Sequence, residues 1–158
     1  FGSLHMNVPP LLQLVTGLTL ASVLAAYVPL GEFETPPLIV LATAMAGCVF
    51  LVPAVSSFAR HDTTVNPQAP NQTTTLVTTG VYSVTRNPMY VGMLLILIAF
   101  VMWLGAPSPF VTVGAFFLSI DRFQIRAEEH VLGLKFGQNY QEYMRRVPRW
   151  LIIQTNRG

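Results

Sequence analysis

Apolar and polar positions fall into long blocks along this chain instead of alternating. No Asp, Glu, Lys or Arg occurs from Phe1 to Gly31, from Thr35 to Ala59 or from Asn87 to Ile120. At 1.5 Å rise per residue against a hydrocarbon layer roughly 30 Å thick, uncharged apolar runs of this length predict membrane-spanning helices. The first covers about Pro10 to Leu30; Pro9 and Pro10 suit a first helical turn, where a missing N–H has no intrahelical partner to lose. Gly31 to Pro37 forms a short acidic turn with Glu32 and Glu34. A second span is expected over about Leu38 to Phe58, kinked or ended early by Pro53.

The third block, Pro88 to Ile120, exceeds one helix and is divided by Gly105-Ala106-Pro107-Ser108-Pro109, which predicts a helical hairpin. Its first arm, Met89 to Leu104, is short for a full span. The second starts near Phe110, leaves the hydrocarbon at about Ile125, continues as an amphipathic helix to about Phe136, and stops at Gly137 as a C-cap. Residues 60–87 are different: polar, threonine-rich, nearly uncharged and broken by Pro67, Pro70 and Gly80. Loops longer than about 12 to 15 residues in a compact domain are functional or disordered, and the functional reading is taken here. The predicted class is an all-α integral membrane protein with about four transmembrane helices (10–30, 38–58, 89–104 and 110–125) and a cytosolic C-terminal helical segment, 126–158.

Composition sharpens this. Of 158 residues only 10% are charged, against roughly 25% in ordinary soluble domains, while 52% are hydrophobic and the mean hydropathy is +0.52, opposite to a disordered chain. Phe1-Gly2-Ser3-Leu4-His5 reads as a vector-derived remnant, with native sequence expected from Met6 and one domain over 6–158. The first apolar run lacks a basic leader and a cleavage site, so it is expected to remain as a span. Cys48 is the single cysteine and has no intrachain partner for a disulfide. All nine Lys and Arg lie within 60–86 or after Ile120, and both other turns contain none. Because basic residues collect on the cytoplasmic side, both termini, the polar loop and the C-terminal segment are placed in the cytoplasm.

Three motifs stand on that face. Arg86-Asn87-Pro88-Met89-Tyr90 opens the third span: Asn and Pro are favoured helix-start residues, and a helix N-terminus also makes one wall of a pocket for a polar group. Glu128-Glu129 follow Arg122 and Arg126, which share one helical stripe; this is either a solvated face, or Glu128 binds a cationic or hydroxyl-bearing ligand and the arginines meet a phospholipid headgroup. Phe136-Gly137-x-x-Tyr140-x-x-Tyr143-x-x-x-Val147-Pro148-Arg149-Trp150 mixes aromatics with arginines, as interfacial anchors do. No dinucleotide fingerprint, P-loop, zinc spacing or nucleophile elbow is present. Asp121, at the edge of a span, is the one ionisable candidate there, which disfavours coupled transport. No metal and no nucleic-acid partner are expected.

Leu76-Val77-Thr78-Thr79-Gly80-Val81-Tyr82, then Arg86 to Tyr90 with Gly92, then Glu128 through Trp150, in this order and spacing, resemble the isoprenylcysteine carboxyl methyltransferase family, with phospholipid methyltransferases as wider relatives. The resemblance covers about Asp62 to Trp150 and favours the bacterial branch, hence a bacterial inner membrane; eukaryotic members have His where Asn87 stands. It implies S-adenosyl-L-methionine bound in a cytosolic pocket capped by the C-terminal segment, with Thr74, Thr75, Leu76, Val77, Tyr82, Asn87, Pro88, Met89, Tyr90 and Glu128 as cofactor contacts. Tyr90 and Glu128 are the catalytic candidates, with His130 as a further proton acceptor. The family arginine that engages the prenylcysteine carboxylate falls at Gln124, so Arg122, Gln124 and Arg126 are the substrate-side candidates. The implied reaction is methyl transfer to a lipophilic acceptor at the membrane interface, on O, N or S; a noncatalytic membrane module is the alternative.

Overall fold

The structure, a computed structural model, describes residues 8–60 and 76–151, with residues 57–60 described by their backbone alone. Every described element is helical: α1 (Pro10–Tyr27), α2 (Pro37–Arg60), a 3-10 turn (Gly80–Ser83), α3 (Pro88–Leu104), α4 (Phe110–Ser119), a π-helical segment (Ile120–Ile125), α5 (Arg126–Phe136) and α6 (Gln138–Arg146). The expected hairpin is α3 and α4, turned by Gly105 in the left-handed conformation (φ 73°). α4, the π segment and α5 run on to Phe136, and Gly137 follows with φ 55°.

Two helix ends and the winding of the C-terminal helices differ from the expectation. α1 stops at Tyr27 rather than about Leu30, with Val28 already at φ −139°, because Pro29 drives the residue before it out of the α region. α2 runs through Pro53 to Arg60, slightly past the expected end near Phe58. The π segment has no counterpart in the periodicity, and the expected C-terminal helical segment is divided at Gly137 into α5 and the short helix α6, which buries Tyr140 and Tyr143.

α1 and α2 are long and apolar enough to cross a membrane, whereas α3, with 17 residues, is apolar but shorter. Only 22% of the apolar window of α1 and 11% of that of α2 is buried, and Leu11, Leu20, Leu38, Leu41, Met45 and Val49 are exposed. A soluble core helix of this composition would be enclosed; so much contiguous apolar surface calls for a hydrocarbon solvent.

α2 packs most extensively against α3, and two glycines set the distance between them. A Cβ on Gly47 would lie 2.9 Å from the carbonyl oxygen of Gly92, and one on Gly92 would lie 2.7 Å from that of Gly47, so the absence of both side chains lets the backbones touch. α1, α3 and α4 enclose a core containing Leu14, Ala21, Met93, Leu97, Val101 and Phe116. At one end, the Phe33 N–H donates to Gly105 O (2.9 Å) and the Ser108 N–H to Pro29 O (3.3 Å), tying the two arginine-free turns together. At the other, Ala54, Val77, Tyr82, Tyr140, Tyr143 and Val147 form a second core. This end gathers the start of α3, residues 76–87 and the C-terminal segment.

Candidate functional site

Residues 84–90 and 147–150 are bound to each other almost entirely through backbone carbonyls. The Arg86 N–H donates to Pro148 O at 2.9 Å, and its Nε donates to Val147 O at 3.0 Å. Arg149 O accepts from Thr85 Oγ1 at 3.0 Å and from Asn87 Nδ2 at 2.9 Å. Thr85, fully buried, also accepts the Asn87 N–H at 3.2 Å. Pro148 has no N–H of its own, so this segment offers acceptors and the Thr85–Asn87 turn supplies donors. Asn87 does hold the N-cap position of α3, with Pro88 at the first helical position, but its side chain makes no capping bond. It is spent on Arg149 O, which corrects the expectation of a plain helix cap.

Beneath this clamp lies a cluster of charges. Glu129 Oε1 accepts from Arg86 Nη1 and from Arg149 Nε, each at 2.9 Å, and Oε2 accepts from Arg149 Nη2 at 2.7 Å. Arg149 Nη1 reaches Asp121 at 3.2 Å, and Trp150 Nε1 donates to Asp121 Oδ1 at 2.9 Å. The Glu129 hydrogen bond, with the carboxylates nearby, raises the Arg149 pKa against the opposing effect of burial, so this guanidinium stays charged. Charge-assisted, partly buried bonds of this kind are the strong ones. Neither Thr85 nor this role for Glu129 and Asp121 was found by sequence reasoning; the signal available was two acidic residues and a Pro-Arg-Trp tail in a chain otherwise short of charge.

Facing the cluster is a second, differently built carboxylate. Tyr90 donates its hydroxyl to Glu128 Oε1 at 2.5 Å, and Gln124 Nε2 donates to the same oxygen at 2.8 Å. Among the described residues Glu128 has no cation beside it. Burial pushes its pKa up to about 7 from an ordinary 4.5, the Glu129 charge adds to the rise, and the two hydrogen bonds offset part of it. Burial likewise pushes Tyr140 up to about 12 and raises Tyr82 and Tyr143, keeping these phenols neutral donors. Tyr143 uses its proton on Tyr82 O at 2.6 Å. The π segment aligns this site: it is there that Asp121 turns to the Arg149 side while Gln124 is buried against Glu128, as π-bulges at functional sites do.

Of the residues singled out in the sequence, Tyr90, Gln124 and Glu128 come together directly. Asn87 and Pro88 start the helix that delivers Tyr90. Met89 packs against both cores, Val77 and Tyr82 are buried in the second, and Leu76 packs on it. Arg122, Arg126 and His130 are exposed, away from Glu128. Thr74 and Thr75 lie outside the described residues. No group of acidic, His or Cys side chains suited to a metal occurs among the described residues.

The sequence profile of the phospholipid methyltransferase family matches residues 37–139. A stretch of 63 residues, 40% of this chain, is 46% identical to an uncharacterized protein of Haemophilus influenzae and covers 100% of it. A stretch of 76 residues, 46% of this chain, is 40% identical to protein-S-isoprenylcysteine O-methyltransferase B of Arabidopsis thaliana, of whose length it covers 37%. No solved structure matches.

Proposed function

Because the chain belongs to the phospholipid methyltransferase family, we propose that it is an S-adenosyl-L-methionine-dependent enzyme that methylates a lipophilic acceptor at the membrane interface. In this reading α1, α2, α3 and the α4 stretch to about Ile125 are four spans, and both termini face the cytoplasm of a bacterial inner membrane. Residues 74–77, Tyr82, Asn87 to Tyr90 and Glu128 hold the cofactor. The observation that carries the reading is the Tyr90–Glu128–Gln124 group, a carboxylate withdrawn from water with two neutral donors and, among the described residues, no cation on it. That set suits a ligand with positively charged groups, whose binding would supply the missing counter-charge.

When bound, S-adenosyl-L-methionine supplies an electrophilic methyl carbon on a cationic sulfonium. The chain's own residues supply placement. Tyr90 and Gln124 fix the orientation of Glu128, the clamp of Thr85 to Asn87 on Val147 to Arg149 fixes the pocket wall, and the buried tyrosines exclude water, so the barrier is lowered by alignment and desolvation. Glu128, near neutrality in pKa, can take a proton from an amine or thiol acceptor. Arg86 and Arg149 are committed to Glu129 and Asp121, and Gln124 is uncharged. These facts favour an uncharged nucleophile over the carboxylate that the isoprenylcysteine carboxyl methyltransferase resemblance implies.

Calorimetry on the detergent-solubilised protein tests this. S-adenosyl-L-methionine should bind, and Glu128→Gln should weaken it at least tenfold; a folded protein that binds none would sink the reading. Incubation with labelled cofactor and membrane lipid extract then identifies the acceptor.

A further inference from the structure

The outer face of the α4–α5 helix changes character abruptly along its length. Val111, Gly114, Ala115 and Leu118 are exposed and uncharged, and Arg122 and Arg126 continue the same face one and two turns further on, also exposed. Leu118 and Val111 are 54% and 70% accessible, as lipid-facing side chains are. A Cβ on Gly114 would meet nothing within 4 Å, leaving a shallow trough beside them.

The charge on this face is uncompensated. Asp121, Glu128 and Glu129, the acidic neighbours on the helix, all turn to the other side and have partners there: Arg149 and Trp150, Tyr90 and Gln124, Arg86 and Arg149. Among the described residues neither Arg122 nor Arg126 has an ion-pair partner. Two guanidinium forks one turn apart match a phosphate, and they stand where the apolar stripe ends.

We propose that Arg122 and Arg126 form a binding site for the phosphate of an anionic phospholipid whose acyl chain lies along Val111, Gly114, Ala115 and Leu118. This rests on α4 lying in the membrane, but not on methyl transfer: the lipid sits on the face opposite Glu128 and is a bound neighbour, not the acceptor.

The test uses the full chain in detergent and in vesicles. Thermal unfolding is followed while dioleoylphosphatidylglycerol, dioleoylphosphatidylcholine or inorganic phosphate is titrated. Phosphatidylglycerol should stabilise the wild type at concentrations on the order of tenfold lower than phosphatidylcholine, and Arg122→Gln/Arg126→Gln should abolish that preference while keeping the lipid-free melting temperature. Arg145→Gln/Arg146→Gln, removing equal charge from exposed sites on α6, should keep it. Four results would overturn the site: no preference in the wild type, a preference that survives the Arg122/Arg126 change, equal loss in the α6 variant, or the same stabilisation by inorganic phosphate. Vesicle flotation separates the premise from the proposal, since a wild type that fails to float refutes the spanning helix itself.

Discussion

Arg86 and Arg149 share one oxygen: both donate to Glu129 Oε1, each at 2.9 Å, from opposite sides of the clamp. Arg86 enters from the turn that starts α3, and Arg149 from the segment that follows α6. The arginine side chains are 4% and 24% exposed, so one of the two charges has little water to fall back on.

Glu129→Gln therefore leaves the Arg86 guanidinium buried without its counter-charge. Breaking one side of a buried pair costs roughly 3 kcal/mol, and thermal or denaturant unfolding should show a loss of that order. Limited proteolysis should show the C-terminal segment released first, because Arg149 loses its counter-charge and, whichever way the amide turns, one of its two bonds to this side chain.

Glu128 gives the protein a pH dependence of known sign. Its pKa in the folded chain, about 7, exceeds the ordinary 4.5, so the folded form retains a proton that the unfolded form releases. Stability contributed by this group is full below pH 4.5 and declines as pH rises through about 7. Glu128→Gln should flatten that slope in unfolding measured from pH 4 to pH 8. Affinity for a cationic cofactor runs the other way, rising with pH across the same midpoint as the carboxylate ionises, and the same variant should remove the rise in calorimetry.

Gly92→Ala puts a methyl group 2.7 Å from Gly47 O and 3.0 Å from Leu51 Cβ. The gain in helix propensity, about 1 kcal/mol, is outweighed by forced separation of α2 and α3, and a net destabilisation of about 1 to 3 kcal/mol is expected in thermal unfolding. Gly133→Ala, in α5 with open space around its Cβ, should instead leave the melting temperature level or raise it.

Tyr143→Phe removes the donor to Tyr82 O while keeping the ring in its core. A buried carbonyl left without that partner costs about 1 to 2 kcal/mol, readable as a lowered melting temperature.

The helical blocks were legible in the sequence because a hydrocarbon solvent imposes them: charge-free runs had to be helices, and Gly105 and Gly137 marked two of their ends. Tyr90 and Glu128 were legible only as members of an ordered motif set, since nothing local to either announces that they touch. The fate of Asn87 was not legible. Its preference for capping is a property of one helix end, and the competing acceptor, Arg149 O, arrives from far along the chain. The role of Glu129 was hidden for the same reason, because an adjacent acidic pair on a helix looks solvated until its arginine partners are placed in space.

The π segment has a consequence for how the two ends of its helix can vary. A regular α-helix would lock the angular phase of its apolar half to that of its polar half, so any rotation that improved packing against α1 and α3 would swing Gln124 and Glu128 off their target. Wider winding over Ile120–Ile125 decouples the two phases. The apolar half is then free to drift in composition as its own packing demands, while the half beyond it keeps its bearing on Tyr90. Removing one residue from that segment would turn the helix regular again and point Glu128 away from Tyr90.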